Sequence, residues 1–196
     1  MRRTIILASS SPRRHELIRT LGIDPVIIAS QADETVEPAK SPHEVVQELA
    51  LRKALAVSEQ LESVQPGTIV IGADTIVVLD GEILGKPRDE QDAARMLHML
   101  QGRSHDVYSG VACVDVEGRR HAAGCRRTVV HMKPLTDDQI RRYVKTGEPM
   151  DKAGSYAIQG IGATFVTGIE GDYFNVVGLP LELLSSLLSE FGAEVI

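Results

Sequence analysis

Apolar and polar positions run along this chain in blocks that switch between the strand period and the helix period. Ile5-Ile6-Leu7-Ala8 is a short apolar run of the buried-strand type. A serine turn follows, in which Ser11 suits an N-cap and Pro12 the first helical position. The helix it opens carries Leu17, Ile18 and Leu21 on one stripe and ends near Gly22. Ser41-Pro42-His43-Glu44 is a capping box that starts a second helix, running to about Gln60 before the Gln65-Pro66-Gly67 break. Residues 68–73 then read as a buried strand and residues 75–79 as another, followed by an Asp80-Gly81 hairpin turn and a short return at Glu82-Ile83-Leu84.

Residues 89–101 form an amphipathic helix with Ala93, Leu97 and Leu100 inward, stopped by Gly102. Two long β segments follow, over 107–116 and 119–131, with Glu117-Gly118 as their turn. Thr136-Asp137-Asp138-Gln139 caps a further helix that ends at Gly147. The glycine-rich stretch over 154–178 suggests strands and tight loops, and Pro180 opens a last helix burying Leu183, Leu184, Leu187 and Leu188. Alternating strands and helices at the start, with antiparallel character in the middle, predict an α/β protein with a mixed, twisted sheet.

Composition narrows the setting. The chain has 196 residues, 43% hydrophobic and 24% charged, enough for one sizeable core. A formal net charge of -6 disfavours wholesale binding to nucleic acid or anionic membranes, so any phosphate site must be a local concentration of cations. Cys113 and Cys125 lack metal-type spacing and read as small core residues in a reducing compartment. The N-terminal apolar run is too short for a signal peptide and no membrane-spanning segment is present, which points to a cytoplasmic protein.

Several residues are out of place for packing alone. Backbone N–H groups at the first helix start, the hydroxyls of Ser9 and Ser11, and the guanidinium groups of Arg13 and Arg14 would converge on an anion, with phosphate the natural guest. The same turn also reads as an ordinary capped helix with two solvated arginines. Asp74 interrupts an apolar strand, where a carboxylate is costly unless paired, hydrogen-bonded or holding a metal; the alternative is a turn-capping role. Lys53 lies on the stripe of Val46, Leu49, Ala50 and Val57, so it either serves a site or snorkels. Lys86 stands between Gly85 and Pro87, and Asp33-Glu34 offers adjacent carboxylates in a loop. Such cations and carboxylates together are what nucleoside triphosphate hydrolysis needs, to neutralise phosphate, hold a divalent metal and activate water.

The ordered segments Leu7-Ala8-Ser9-Ser10-Ser11-Pro12-Arg13-Arg14, Asp33-Glu34, Ala50-Leu51-Arg52-Lys53-Ala54, Gly72-Ala73-Asp74-Thr75 and Gly85-Lys86-Pro87 carry a family resemblance. It continues through Asp151-Lys152-Ala153-Gly154-Ser155-Tyr156-Ala157-Ile158-Gln159-Gly160 and Asn175-Val176-Val177-Gly178-Leu179-Pro180. The chain resembles the Maf family of nucleoside triphosphate pyrophosphatases, once described as septum-formation inhibitors. The resemblance spans essentially all of residues 1–196, as a single domain. It implies an elongated mixed sheet with flanking helices and two lobes around a nucleotide cleft, similar to inosine triphosphatase.

It also implies cleavage between the α and β phosphates with a divalent metal, Mg or Mn. Asp74 would be the proton acceptor and Glu34 its aid, both serving the metal, while Lys53, Lys86, Arg13 and Arg14 would hold the triphosphate. The family branch acting on dTTP and UTP resembles this chain at Arg13, Thr75 and Gln159. The branch acting on 7-methyl-GTP has an aromatic residue, a glutamine and a glutamate there, which suit a positively charged base. A neutral pyrimidine edge suits the Gln159 amide and the Thr75 hydroxyl. Ser109 and Ser155 stand where relatives often carry threonine and alanine. The expectation is therefore a dTTP/UTP pyrophosphatase, with a 7-methyl-GTP pyrophosphatase or a non-catalytic nucleotide-binding regulator of cell division as alternatives. The prevalence of two-fold assemblies makes a homodimer a natural oligomer.

Overall fold

A computed structural model of the chain describes residues 3–37, 40–61, 65–117 and 120–196. Its strands are β1 (Ile5–Leu7), β2 (Val26–Ile27), β3 (Ile69–Leu79), β4 (Glu82–Leu84), β5 (Ser104–Asp115), β6 (Arg120–Met132) and β7 (Val166–Glu170). Its α-helices are α1 (Pro12–Thr20), α2 (Pro42–Ser58), α3 (Glu90–Leu100), α4 (Asp137–Val144), α5 (Tyr173–Val177) and α6 (Leu181–Glu190). The sheet is mixed, as expected, in the order β2-β1-β3-β5-β6-β7 with β4 on β3. β1 pairs in parallel with β2 and β3, whereas β3–β4 and β6–β7 are antiparallel. Among the described residues no helix is long and apolar enough to cross a membrane.

The chain divides into two compact units. The first comprises Met1–Asp74, Ser109–Arg126 and Gly178–Ile196; the second comprises Thr75–Tyr108 and Arg127–Val177. In the first, Ile6, Val70 and Val114 from the sheet pack with Ala54 and Val57 of α2. The approach of α2 is set by glycine. A Cβ at Gly72 would lie 2.0 Å from the Ala50 carbonyl oxygen, and one at Gly110 would lie 2.2 Å from that of Val46. Any side chain at either position would lift the helix off the strands. The second unit buries Val77, Leu97, Leu100, Val107, Tyr143 and Phe165 in one cluster between its strands and helices.

Three local expectations differ from the structure. β3 is one unbroken strand of 11 residues with Asp74 inside it, not two strands separated by that carboxylate. Asp74 shares the strand's period-2 face with Val70 and Gly72, so it needs no kink to reach a partner. Ser11 occupies the N-cap position of α1, yet its side chain makes no capping hydrogen bond. The glycine-rich stretch contains 3-10 turns at Ala153–Ser155 and Gly160–Phe165 and the short helix α5, with only β7 as strand. Gly118 and Arg119, placed by the sequence in a turn and at a strand start, lie outside the described residues. Cys113 is buried as expected, whereas Cys125 is half-buried, its Sγ 3.1 Å from His43 Nδ1.

Candidate functional site

The charged site of the first unit grows from the closeness of α2 to β3. Val70, Gly72 and Asp74 alternate onto the face that α2 covers, and Lys53 lies one turn along from Ala50 on the helix. The Gly72–Ala50 contact brings the Lys53 ammonium to Asp74 Oδ1 at 2.6 Å and to Glu34 Oε1 at 2.9 Å. The Lys53 and Asp74 side chains are 12% and 10% exposed, while Glu34 is 57% exposed. The largely buried Lys53–Asp74 pair is therefore the strong contact, and the Glu34 bridge is its solvent-screened arm. The sequence placed Lys53 on the apolar stripe of its helix; the structure turns its tip to two carboxylates.

The β1–α1 turn adds the remaining cations. Ser9, rather than Ser11, organises it: Ser9 Oγ accepts a hydrogen bond from the Ser11 N–H at 3.2 Å, and Ser9 O lies 2.7 Å from His15 Nε2. Arg14 donates from Nε to the Gly178 carbonyl at 2.8 Å and from Nη1 to the Ala73 carbonyl at 2.9 Å. It thereby ties the turn to β3 at the residue before Asp74. Burial lowers the pKa of its guanidinium, Asp74 and Glu34 oppose that shift, and Arg13 reinforces it. The Asp74, Glu34 and Arg13 charges thus all act on the Arg14 guanidinium. Arg14 is partly committed to main-chain carbonyls, a role that the sequence did not display.

The two loop carboxylates also separate. Asp33 accepts hydrogen bonds from the Thr35 hydroxyl at 2.7 Å and the Thr35 N–H at 2.9 Å, and these depress its pKa. It holds the turn, leaving Glu34 to face Lys53. Asp74 and Glu34 present hard oxygen donors to one cationic point. A magnesium-like ion is commonly held by one or two carboxylates with substrate phosphates completing its shell, so this pair fits such an ion. No cluster of three or more His, Cys, Asp and Glu groups suited to a metal occurs among the described residues.

Thr75, Lys86 and Gln159 belong to the second unit. Thr75 follows Asp74 in β3 and is half-buried. Lys86 is exposed in the loop between β4 and α3, where the Gly85 carbonyl accepts the Gly154 N–H at 3.1 Å. Gly154 has φ +69°, and a Cβ there would lie 2.9 Å from Val77 Cγ2, so glycine alone fits. Gln159 is half-buried and immediately precedes the 3-10 turn Gly160–Phe165. Sequence reasoning missed Glu148, whose carboxylate accepts the N–H groups of Ile161 and Gly162 and the Tyr143 hydroxyl. Its main-chain partners lie 13 and 14 residues ahead in the loop, a separation that no local pattern encodes.

The first unit thus holds a largely buried lysine between two carboxylates, near an arginine-bearing helix start. The family model described as Maf-like protein matches residues 4–191. The chain belongs to that family. It is 54% identical over 188 residues to a dTTP/UTP pyrophosphatase of Symbiobacterium thermophilum, covering 96% of this chain and 94% of the relative. A dTTP/UTP pyrophosphatase of Pelotomaculum thermopropionicum is 50% identical, with 98% of each chain covered. One of Dictyoglomus turgidum is 49% identical, again with 98% of each covered.

Proposed function

We propose that this chain hydrolyses dTTP and UTP, together with modified pyrimidine triphosphates, to the nucleoside monophosphate and pyrophosphate. The observation that carries the reading is the Lys53 ammonium held between Asp74 and Glu34, in a chain about half identical to relatives named dTTP/UTP pyrophosphatase. In this mechanism a water oxygen attacks the α-phosphorus, the bond from that phosphorus to the bridging oxygen breaks, and pyrophosphate leaves. Asp74 accepts the water proton, and Glu34 orients the water. Lys53 holds Asp74 as a carboxylate partner and offers its charge to the phosphate oxygens as the transition state develops.

Asp74 and Glu34 would hold a divalent cation, Mg or Mn, which when bound neutralises phosphate charge and acidifies water. Arg13 and Lys86 bind the triphosphate, Lys86 answering the charge on the leaving pyrophosphate. Arg14 contributes positive field while fixing the β1–α1 turn, and Ser9 and Ser11 shape that turn for an anion at the α1 start. Thr75 and Gln159 read the pyrimidine edge through a hydroxyl and an amide, with Arg13 sharing in the choice of base. A cytoplasmic homodimer completes the reading, supported by the prevalence of two-fold assemblies.

The test is a substrate panel. Purified protein with Mg or Mn is offered dTTP, UTP, CTP, dATP and 7-methyl-GTP, and pyrophosphate release is followed. Preference for dTTP and UTP is the expected result. Release from 7-methyl-GTP alone refutes the base assignment, and no release from any of them refutes the enzyme reading.

A further inference from the structure

Gln159 sits at the centre of a short turn that is anchored on both sides by one pair of side chains. On its N-terminal side the Ala157 N–H donates to the Tyr143 hydroxyl at 3.3 Å. On its C-terminal side the N–H groups of Ile161 and Gly162 donate to Glu148 at 3.0 and 2.9 Å. The two anchors are joined, because the Tyr143 hydroxyl donates to Glu148 Oε1 at 2.8 Å. The turn's glycines make this closure possible. A Cβ at Gly160 would stand 2.6 Å from Glu148 Oε2, and one at Gly162 would stand 2.7 Å from the Tyr143 hydroxyl oxygen.

Charge strengthens the lock. The carboxylate receives two main-chain donors at the start of the 3-10 turn Gly160–Phe165, where an anion is favoured. Burial pushes the Glu148 carboxyl upward in pKa, but the Gly162 and Ile161 N–H groups and the Tyr143 hydroxyl outweigh it, so the net shift is downward. Lys152 adds a brace, donating to the Glu148 carbonyl oxygen at 2.6 Å and to Asp151 Oδ1 at 2.5 Å. Tyr143 is itself fixed in the core, 2% exposed and edge-on to Phe165.

We infer that Glu148, through Tyr143 and the main chain of Ile161 and Gly162, is the positioning residue that presents the Gln159 amide to the pyrimidine base. This rests on the reading of Gln159 as a base-contacting residue. Glu148 touches no reacting atom in this account; it removes the freedom of the turn so that the amide meets the base without a further ordering cost.

Two measurements separate the inference from the reading beneath it. Amide hydrogen exchange at Gln159–Gly162 is compared between wild type and Glu148→Gln, which keeps the size but removes the charge and turns donors toward donors. Exchange at least about tenfold faster in the turn, with α4 and β6 unchanged, is expected from the lost charge-assisted bonds. Unchanged exchange overturns the inference whatever the activity. Steady-state kinetics with dTTP then compare Glu148→Gln, Gln159→Ala and the double variant. The inference predicts a KM raised about tenfold with kcat within about twofold, and no further KM loss when the two changes are combined.

Losses that multiply, or a fall in kcat at constant KM, mark Glu148 as ordinary packing and overturn the inference. If Gln159→Ala alone leaves KM and base preference unchanged, the reading of Gln159 fails, while exchange still reports on the clamp. Should Glu148→Gln not fold, Tyr143→Phe removes one donor and must speed exchange in the same turn; unchanged exchange there overturns the inference equally.

Discussion

Gly72→Ala changes no charged or catalytic group, yet it acts where the site is assembled. The added methyl carbon would lie 2.0 Å from the Ala50 carbonyl oxygen, against the 3.4 Å at which ordinary contact begins. Main chain on both sides leaves no flexible tip to rotate away, so α2 must retreat from β3 by about 1.4 Å. Lys53 Nζ, now 2.6 Å from Asp74 Oδ1, would move toward 4 Å, beyond hydrogen-bond range by that displacement. Overpacking of this kind costs about 1–3 kcal/mol, which for a domain of this size lowers Tm by roughly 2–12 °C. A displacement of about 1 Å at a reacting group can cost about 100-fold in rate, so kcat/KM for dTTP should fall by about that factor in protein that is still folded. Calorimetry and pyrophosphate release on the same preparation test both halves. Wild-type Tm with wild-type kcat/KM would refute the claim that the glycine contact sets the lysine–carboxylate geometry.

Two further outcomes follow from other parts of the structure. His105 is 3% exposed, with Nε2 2.6 Å from the Tyr156 hydroxyl and Nδ1 without a hydrogen-bond partner; burial holds its pKa down at about 4 from 6.5. A depressed folded pKa means that the unfolded chain takes up the proton first. The associated stability is complete above pH 6.5 and is lost as pH falls toward 4, by about 3 kcal/mol in all. Urea unfolding at stepped pH should show this loss in wild type and a flatter acid limb in His105→Phe; equal slopes would contradict it. Hydrolysis of dTTP in oxygen-18 water should place the label in the monophosphate, as attack on the α-phosphorus requires, and label in pyrophosphate would place the attack elsewhere.

The helices were the most legible part of the sequence because their starts are written locally. The capping boxes at Ser41/Glu44 and Thr136/Gln139 are both formed in the structure, and the inward residues Ala93, Leu97 and Leu100 of α3 are buried. The sequence pattern splits β3 in two because Asp74 interrupts an apolar run, whereas its polarity is answered by Lys53 across the α2 face. Strand interruption singles out Asp74, helical spacing singles out Lys53 and the adjacent Asp33-Glu34 pair offers Glu34, but only tertiary packing joins three segments at one ammonium group. Arg14 and Glu148 were less legible, since each bonds main-chain groups distant in sequence and any hydrogen-bonding side chain could fill such a role on paper. The stretch after Gly147 resisted periodicity because 3-10 turns and a five-residue helix are too short to show one.

The proposed role of Asp74 is to accept the water proton in pyrophosphate release. Asp74→Asn keeps the size of the side chain and an oxygen able to accept from Lys53, and Glu34 still faces the ammonium, so the protein should still fold, with wild-type circular dichroism and a Tm lowered by the lost ion pair. Single-turnover release of pyrophosphate from dTTP by that variant is the direct measurement. A loss of about 1,000-fold or more in folded protein is predicted, within the range for removing a general base. Turnover near the wild-type rate would contradict the account.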